Sequence, residues 1–286
     1  MHQLSLVDGS VVSHDGTRIG YLRQGSGPGV VLVQGAMADV HAYRDLAAAL
    51  ATSFTVISAE RRGRGLSPRP YDRGHSIDRD VEDIDAIMAA TGARSVFGLS
   101  SGAVITLEAA RTLDRVERAV AYEPPFYEDG IDRAGIARLH SEIERGDLAS
   151  ALLDSLLTAR TAPTFLQRAP RGLARALARI VLTVDATRPG PATALRDLLP
   201  GVRYDFHDVA SVDGRIDTFA SITQPVLLLS GTKSPAFLRS AVRTLHELLP
   251  QARHHEFVGL GHDGPQNDGD PVAVARIVHD FLLESS

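Results

Sequence analysis

The chain has 286 residues, of which 44% are hydrophobic, enough for one large α/β domain with an insertion or for two small domains. Its formal net charge of −5 gives no electrostatic reason to expect a nucleic-acid partner. The absence of cysteine excludes a disulfide framework, a cysteine-ligated metal and a thiol nucleophile.

Neither a secretory signal nor a membrane span is predicted. Residues 1–8 lack the basic start and the long apolar core of a signal peptide. No apolar run reaches the roughly 18–20 residues that a transmembrane helix needs. We therefore predict a cytoplasmic protein with no membrane partner.

Short apolar runs rich in Val, Ile and Leu predict the strands of a buried sheet. Before them, a turn at residues 14–16 enters residues 17–24, which are typical of an outer antiparallel strand. The buried strands are predicted, in chain order, over residues 30–33, 54–59, 95–99, 116–122 and 225–230, and residues 254–258 are predicted to form a final strand.

Helical patterns separate these strands. Apolar residues from Ile77 to Met88 recur at helical spacing, and an amphipathic helix over residues 272–283 follows Pro271. Strands that alternate with helices imply a mostly parallel sheet covered on both faces. The sequence therefore predicts an α/β fold.

The alternation stops at residue 123 and resumes near residue 218. The stretch between is rich in Ala, Leu and Arg, and prolines divide it. Helices are predicted there over residues 131–145, 148–161, 172–184 and 193–199. We predict a core built from residues 1–123 and 218–286, with residues 124–217 inserted as a helical cap. The alternative is a separate second domain, for which these helices are few and short.

One apolar strand runs directly into a Gly-x-Ser-x-Gly turn and then into a helix-forming stretch, over residues 95–105. This order places the hydroxyl of Ser100 at a sharp strand-to-helix turn, where a nucleophilic serine needs to be. Gly98 and Gly102 leave room for the neighbouring strand and helix, and the backbone N–H of Ser101 can face a developing oxyanion. Ser100 is therefore the candidate nucleophile.

A serine nucleophile needs a base, and the base needs an acid that orients it. On this kind of sheet the base is a histidine that comes last in the chain. His262 follows the last predicted strand on a Gly-rich loop that could hold its ring over the sheet edge. His254 and His255 alternate along that strand, which is typical of packing or surface residues. His262 is therefore the candidate general base.

At these residues the chain resembles the α/β-hydrolase family. The resemblance spans nearly the whole length and rests on the 98–102 turn, on the Arg-Gly-rich loop at residues 61–67, and on Gly261-His262. It implies an α/β-hydrolase sheet with an inserted helical cap. It does not identify a substrate.

The chain departs from the family pattern at the acid. Ser234 stands where the family usually carries an aspartate after the penultimate strand, and no carboxylate follows until Glu247. Glu123 ends the strand after the elbow helix, and neighbouring strand ends can reach the same histidine. Similarity to lactonases of the zearalenone-degrading type implies Glu123 as the triad acid. The alternative is a structural role at the cap entrance.

A second departure lies after the first buried strand, where the family's His-Gly is replaced by Gln34-Gly35-Ala36. A backbone donor survives a side-chain change, so the N–H of Ala36, with Gly35, is predicted to pair with the N–H of Ser101 as the oxyanion hole. Gln34 is a candidate for substrate binding, with packing as the alternative.

Aromatic residues next to the predicted acid are candidates for the substrate pocket. Phe126 and Tyr127 follow Glu123 closely, although core packing is an equally good interpretation.

Other motifs have structural interpretations. The glycine-rich residues 25–29 precede a strand and lack lysine, which indicates a turn and not a phosphate site. The three arginines between residues 61 and 64 belong to the fold pattern. The aspartates at residues 263–270 match no metal-ligand spacing. We predict no metal and no cofactor.

Together these observations predict a serine hydrolase that cleaves a carboxylic ester or lactone through Ser100, Glu123 and His262. The predicted partner is a small-molecule substrate, and the protein is predicted to be a monomer or homodimer. The same triad could serve C–C bond hydrolysis, acyl transfer or lyase chemistry. A ligand-binding protein with weak or lost catalysis is the alternative from another class.

Overall fold

One eight-stranded sheet runs through the part of the chain that the computed structural model describes, residues 6–284. Its strands are β1 (Val7–Val12), β2 (Arg18–Gly25), β3 (Gly29–Val33), β4 (Thr55–Ala59), β5 (Ser95–Leu99), β6 (Arg118–Tyr122), β7 (Val226–Gly231) and β8 (Arg253–Phe257). Their order across the sheet is β1-β2-β4-β3-β5-β6-β7-β8. The predicted buried strands are all present. Most of the segment on which the signal-peptide prediction rests, residues 1–5, lies outside the described residues.

The sheet is parallel from β4 to β8, and only β1 and β2 run antiparallel to their neighbours. The predicted outer strand, β2, is one position further in, because β1 pairs with it from Val7 to Val12 and forms the edge. The periodicity did not indicate β1, whose residues are mostly exposed.

Eleven helices accompany this sheet in residues 6–284. They are α1 (Arg44–Leu50), α2 (Ile77–Thr91), α3 (Ser101–Thr112), α4 (Arg133–Glu144), α5 (Leu148–Thr158), α6 (Thr164–Arg168), α7 (Arg171–Asp185), α8 (Leu195–Leu198), α9 (Val202–Ser211), α10 (Ala236–Leu248) and α11 (Pro271–Leu283). Of these, α1, α6, α9 and α10 were not predicted. Helix α5 ends before residue 161 because Arg160 adopts a left-handed backbone with φ 54°.

Two apolar layers cover the sheet. Val31 and Val33 of β3 pack with residues of α2, α3 and α10 on one face. Val30 and Leu32 point the other way and pack with α1 and α11. This alternation buries every strand in the middle of the sheet on both sides, which is why their sequences are continuously apolar.

Six helices, α4 to α9, lie between β6 and β7, and α9 returns to pack against α3. The fold-class prediction is therefore confirmed: a mostly parallel sheet with helices on both faces and an inserted helical cap. The division at residues 123 and 218 stays a prediction. Among the described helices, none has the length and apolarity needed to cross a bilayer.

Gly98→Ala is expected to destabilise the protein, because a methyl group on Gly98 would lie 2.2 Å from the backbone oxygen of Gly102 and 2.4 Å from Thr106 Oγ1. Overpacking of this kind costs about 3 kcal/mol of unfolding free energy. Gly172→Ala in α7 is the matched control, since a methyl group on Gly172 meets nothing within 4 Å. Urea denaturation measures both variants, and equal losses of stability would contradict the prediction.

Candidate active site

The carboxyl ends of the parallel strands bring the predicted site residues to one edge of the sheet. Ser100 follows β5 directly and Glu123 follows β6. Ala36 lies three residues beyond the end of β3, and His262 lies in the loop after β8. This edge is where open α/β sheets carry their ligand sites.

Ser100 occupies a strained turn between β5 and α3. Its backbone has φ 57° and ψ −123°, a region that residues other than glycine rarely adopt. Its N–H donates to the backbone oxygen of Tyr122 at 2.9 Å, which fixes the turn against β6. At Gly102 a Cβ would lie 2.5 Å from the backbone oxygens of Val33 and Gln34, so the elbow requires glycine there.

Glu123 and His262 are joined directly. The two atoms His262 Nδ1 and Glu123 Oε2 are 2.6 Å apart, and Glu123 is completely buried. An ionised carboxylate only accepts, so Nδ1–H is the donor and Nε2 keeps the lone pair that can take a proton. The second oxygen, Glu123 Oε1, accepts from the backbone N–H of Gly231 at 2.7 Å. Both carboxylate oxygens are thus held in place.

The end of β7 donates a hydrogen bond to Glu123 and supplies no carboxylate of its own. Gly231 is the last residue of β7, and its N–H is the second donor to Glu123. Three residues later, where the family pattern places an aspartate, Ser234 is buried and its hydroxyl has no hydrogen-bond partner within residues 6–284. The geometry accounts for the missing aspartate, because the place beside His262 Nδ1 is occupied from β6.

A cavity opens beside Ser100. His262, Ala36 and Ser101 line it from the core. Its other walls are mostly apolar and come from Pro125, Tyr127, Ala159, Thr161, Asp205, Phe206, Val209, Phe237 and Leu238. Ser100 and His262 therefore face the same space, although within the described residues no hydrogen bond joins their side chains.

The three predicted substrate-binding residues have different positions. Tyr127 lines the cavity and stacks on Phe237 with ring centroids 5.0 Å apart. Phe126 is buried against Phe219 and is not among the lining residues. Gln34 is fully buried and donates from Nε2 to the backbone oxygen of Ala59. Roles of Phe126 and Gln34 in substrate binding stay predictions.

The two predicted oxyanion donors both border the cavity. In the described part of the chain, neither the N–H of Ala36 nor that of Ser101 has an intramolecular acceptor. Ser101 is the first residue of α3, where a helix leaves its N–H groups free and carries partial positive charge. Gly35 approaches the nucleophile closely, since a Cβ there would lie 3.2 Å from Ser100 Cβ.

Comparison with known proteins decides the family. A family model described as "Alpha/beta hydrolase family" matches residues 30–277. The chain belongs to this family. The resemblance stated from the sequence is thereby confirmed, and so is the prediction of a hydrolase at the level of the family.

Individual relatives of this α/β hydrolase are distant. A crystal structure of an alpha/beta hydrolase from Sphaerobacter thermophilus is 31% identical, with a TM-score of 0.74 over 96% of this chain and all of that one. A cis-3-alkyl-4-alkyloxetan-2-one decarboxylase from Shewanella oneidensis is 25% identical over 96% of this chain and 88% of its own. An enol-lactonase from Burkholderia xenovorans, 22% identical with a TM-score of 0.68 over 96% of this chain and 100% of its own, shares the fold.

Sequence reasoning missed a buried cluster of charges under the cavity of this α/β hydrolase. The Arg61 guanidinium binds Asp205 and lies 2.7 Å from Asp208 Oδ2 and 3.3 Å from Asp80 Oδ1. His75 Nε2 lies 2.9 Å from one carboxylate oxygen each of Asp80 and Asp208. The signal available was the pair of aspartates three residues apart on α9, opposite a loop with three arginines.

Three members of this cluster also have metal-ligand geometry. The ligand atoms of His75, Asp80 and Asp208 lie within 4.8 Å of one another and all three residues are buried. Arg61 binds both carboxylates, however, and His75 Nε2 bridges them. The arrangement is that of a charge-paired cluster, in which permanent and titratable cations already face the carboxylates.

The carboxylates hold the charged form of His75. Burial lowers the pKa of His75, but its hydrogen bond to Asp208 and the Asp80 carboxylate 2.9 Å away outweigh burial and raise the pKa to about 9. Asp80 shows the converse: burial raises its pKa, and Arg61 together with His75 brings it well below the usual range. His75 is therefore a cation at neutral pH.

His75 makes stability depend on pH. Because its folded pKa of about 9 exceeds its ordinary 6.5, its contribution is complete below pH 6.5 and disappears as pH rises through 9. The loss is on the order of 3 kcal/mol of unfolding free energy. His75→Gln, which cannot titrate, is expected to show a flatter melting temperature between pH 7 and 10. Thermal melts measure this, and parallel curves for both proteins would contradict it.

Proposed function

We propose that this α/β hydrolase cleaves a carboxylic ester or lactone of a small, largely apolar molecule. Ser100 is the nucleophile, His262 the general base and Glu123 the acid that orients it. The observation that carries the proposal is the bond of 2.6 Å between His262 Nδ1 and the buried Glu123, beside a cavity that Ser100 and His262 both line.

The first half of the reaction forms an acyl-enzyme. His262 Nε2 takes the proton of Ser100 as Oγ attacks the carbonyl carbon, and Glu123 stabilises the imidazolium that results. The carbonyl oxygen becomes an oxyanion that accepts from the N–H groups of Ala36 and Ser101. As the tetrahedral intermediate collapses, the C–O bond breaks and the alcohol leaves with the proton from His262.

The second half releases the acid. Water gives a proton to His262 Nε2 and attacks the acyl carbon, and the same two N–H groups bind the second oxyanion. The bond to Ser100 Oγ then breaks, and Oγ regains its proton from His262. A lactone substrate follows the same steps, except that its alcohol stays attached to the acyl group until the product hydroxy acid leaves.

The walls of the cavity favour an apolar substrate. Tyr127, Phe206, Val209, Phe237 and Leu238 present aromatic and aliphatic surface to the cavity. Asp205 is engaged by Arg61 and Arg64, so its charge is already compensated. Two relatives are named after cyclic esters: the enol-lactonase and the alkyloxetan-2-one decarboxylase. Lactones therefore belong in the substrate panel.

Labelling with a fluorophosphonate, followed by intact mass, tests the triad. The wild type is expected to take up one label, and Ser100→Ala none, because the nucleophile is gone. Glu123→Gln is expected to label and turn over about 10⁴-fold more slowly, since the wrong tautomer of His262 is favoured. Ser221→Ala and Glu117→Gln, at exposed positions that precede β7 and β6 and do not line the cavity, are matched controls that should behave as wild type.

Specific results would overturn the proposal. A folded wild type without label would exclude an activated serine. Normal labelling of Glu123→Gln would show that Glu123 is not the acid. Product analysis of an ester and lactone panel then separates hydrolysis from C–C cleavage or acyl transfer. Tight binding without turnover, unchanged in Ser100→Ala, would indicate a ligand-binding protein instead.

A further inference from the structure

We propose that Arg64 is a positioning residue for catalysis: it fixes the Gly35–Ala36 peptide, whose N–H is one of the two oxyanion donors. The inference rests on the function proposed above and extends it to a residue that does not touch the substrate. Arg64 was expected to belong only to the fold pattern of its loop.

One peptide plane links Arg64 to the N–H of Ala36. Arg64 Nη1 lies 3.0 Å from the backbone oxygen of Gly35 and donates to it. In a trans peptide the C=O of one residue and the N–H of the next point in opposite directions. When Arg64 holds the Gly35 oxygen, it also sets the direction of the Ala36 N–H, and Ala36 borders the cavity beside Ser100.

The same turn has a strained backbone. Arg64 Nη1 also donates to the backbone oxygen of Ala38, at 2.8 Å. Between the two oxygens lies Met37, whose φ of 58° is unfavourable for a side chain of its size. A turn of this kind persists only when its surroundings determine it. Arg64 clamps it from both sides.

One carboxylate, that of Asp205, binds both Arg64 and Ser101. Asp205 Oδ2 accepts from Arg64, and Asp205 Oδ1 accepts from the hydroxyl of Ser101 at 2.7 Å. Arg61 donates to the same Oδ1 and lies 3.1 Å from Ser101 Oγ. All of these side chains are buried. The residues that carry the two N–H donors are thus tied to one buried charge.

Asp205 comes from α9, which belongs to the helices inserted between β6 and β7. The counter-ion that holds Arg64 in place is therefore supplied by the inserted helices and not by the sheet. Without it, a guanidinium that is 2% exposed would be left unpaired, at a large cost in free energy. The position of α9 and the orientation of the Ala36 N–H are therefore coupled, because Arg64 binds both Asp205 and the Gly35 oxygen.

Arg62 is the natural control for Arg64. It lies on the same loop, is equally buried, and binds Asp83, Asp15 and the backbone oxygen of Arg79. None of these hydrogen bonds reaches the turn at residues 35–38. Loss of Arg62 is expected to lower stability without altering the oxyanion hole.

The experiment compares Arg64→Lys and Arg64→Ala with Arg62→Lys. Kinetics use the best ester of the panel, and binding uses a trifluoromethyl ketone, which forms a tetrahedral adduct with the serine. Removing an oxyanion donor costs about 10²–10³ in kcat, so misplacing one in Arg64→Lys is expected to cost about 10–100-fold. KM should change little, ketone affinity should fall with kcat, and the pH profile set by His262 should keep its shape. Arg62→Lys should have a lower melting temperature than the wild type and an unchanged kcat.

Several results would overturn the inference. Unchanged kcat in folded Arg64→Lys and Arg64→Ala would exclude a positioning role. A raised KM with unchanged kcat and ketone affinity would show that Arg64 only holds the inserted helices. Should Arg64→Ala fail to fold, Arg64→Lys, which keeps the cation beside Asp205, decides the matter. A wild type that takes up neither fluorophosphonate nor ketone would instead refute the proposed function itself.

Discussion

The parallel alignment of β3, β5, β6 and β8 is the constraint on which the candidate site depends. Each strand ends at the same edge, so residues 36, 100, 123 and 262 meet although they are far apart in the chain. The apolar layers on both faces fix this alignment, because a shift of one residue would move every buried side chain into the opposite layer, where the packing does not match it. The site therefore inherits its geometry from the packing of the whole sheet.

Within that constraint, the carboxylate beside His262 comes from the end of β6. The end of β7 is its neighbour in the sheet, since Tyr122 pairs with Leu229. In this chain β6 contributes Glu123, and β7 contributes only the N–H of Gly231. A fully buried carboxylate needs such donors, because without them burial would favour its neutral form. In this arrangement one buried carboxylate, that of Glu123, faces His262 Nδ1, and β7 adds no second one.

The features that could be predicted from the sequence are those that local pattern determines. Continuous apolar runs indicated the strands from β3 to β7, and glycine spacing indicated the elbow at Ser100. Edge strand β1 escaped because its residues are mostly exposed and no apolar run marks it. Helix α9 escaped for the opposite reason: Asp205 and Asp208 are buried by ion pairing, and periodicity treats a carboxylate as a surface residue.

The buried cluster could not be predicted because it joins loops and helices from three parts of the chain. Arg61 and Arg64 follow β4. His75 lies in the loop before α2 and Asp80 in the first turn of that helix, and Asp205 lies on α9. Buried ion pairs add little net stability, since desolvation offsets most of their attraction. They do fix the position of the elements that they join, because a misplaced α9 would leave Arg61 and Arg64 without Asp205 in the interior. The cluster is thus better suited to fixing one seating of the inserted helices over Ser100 than to stabilising the fold.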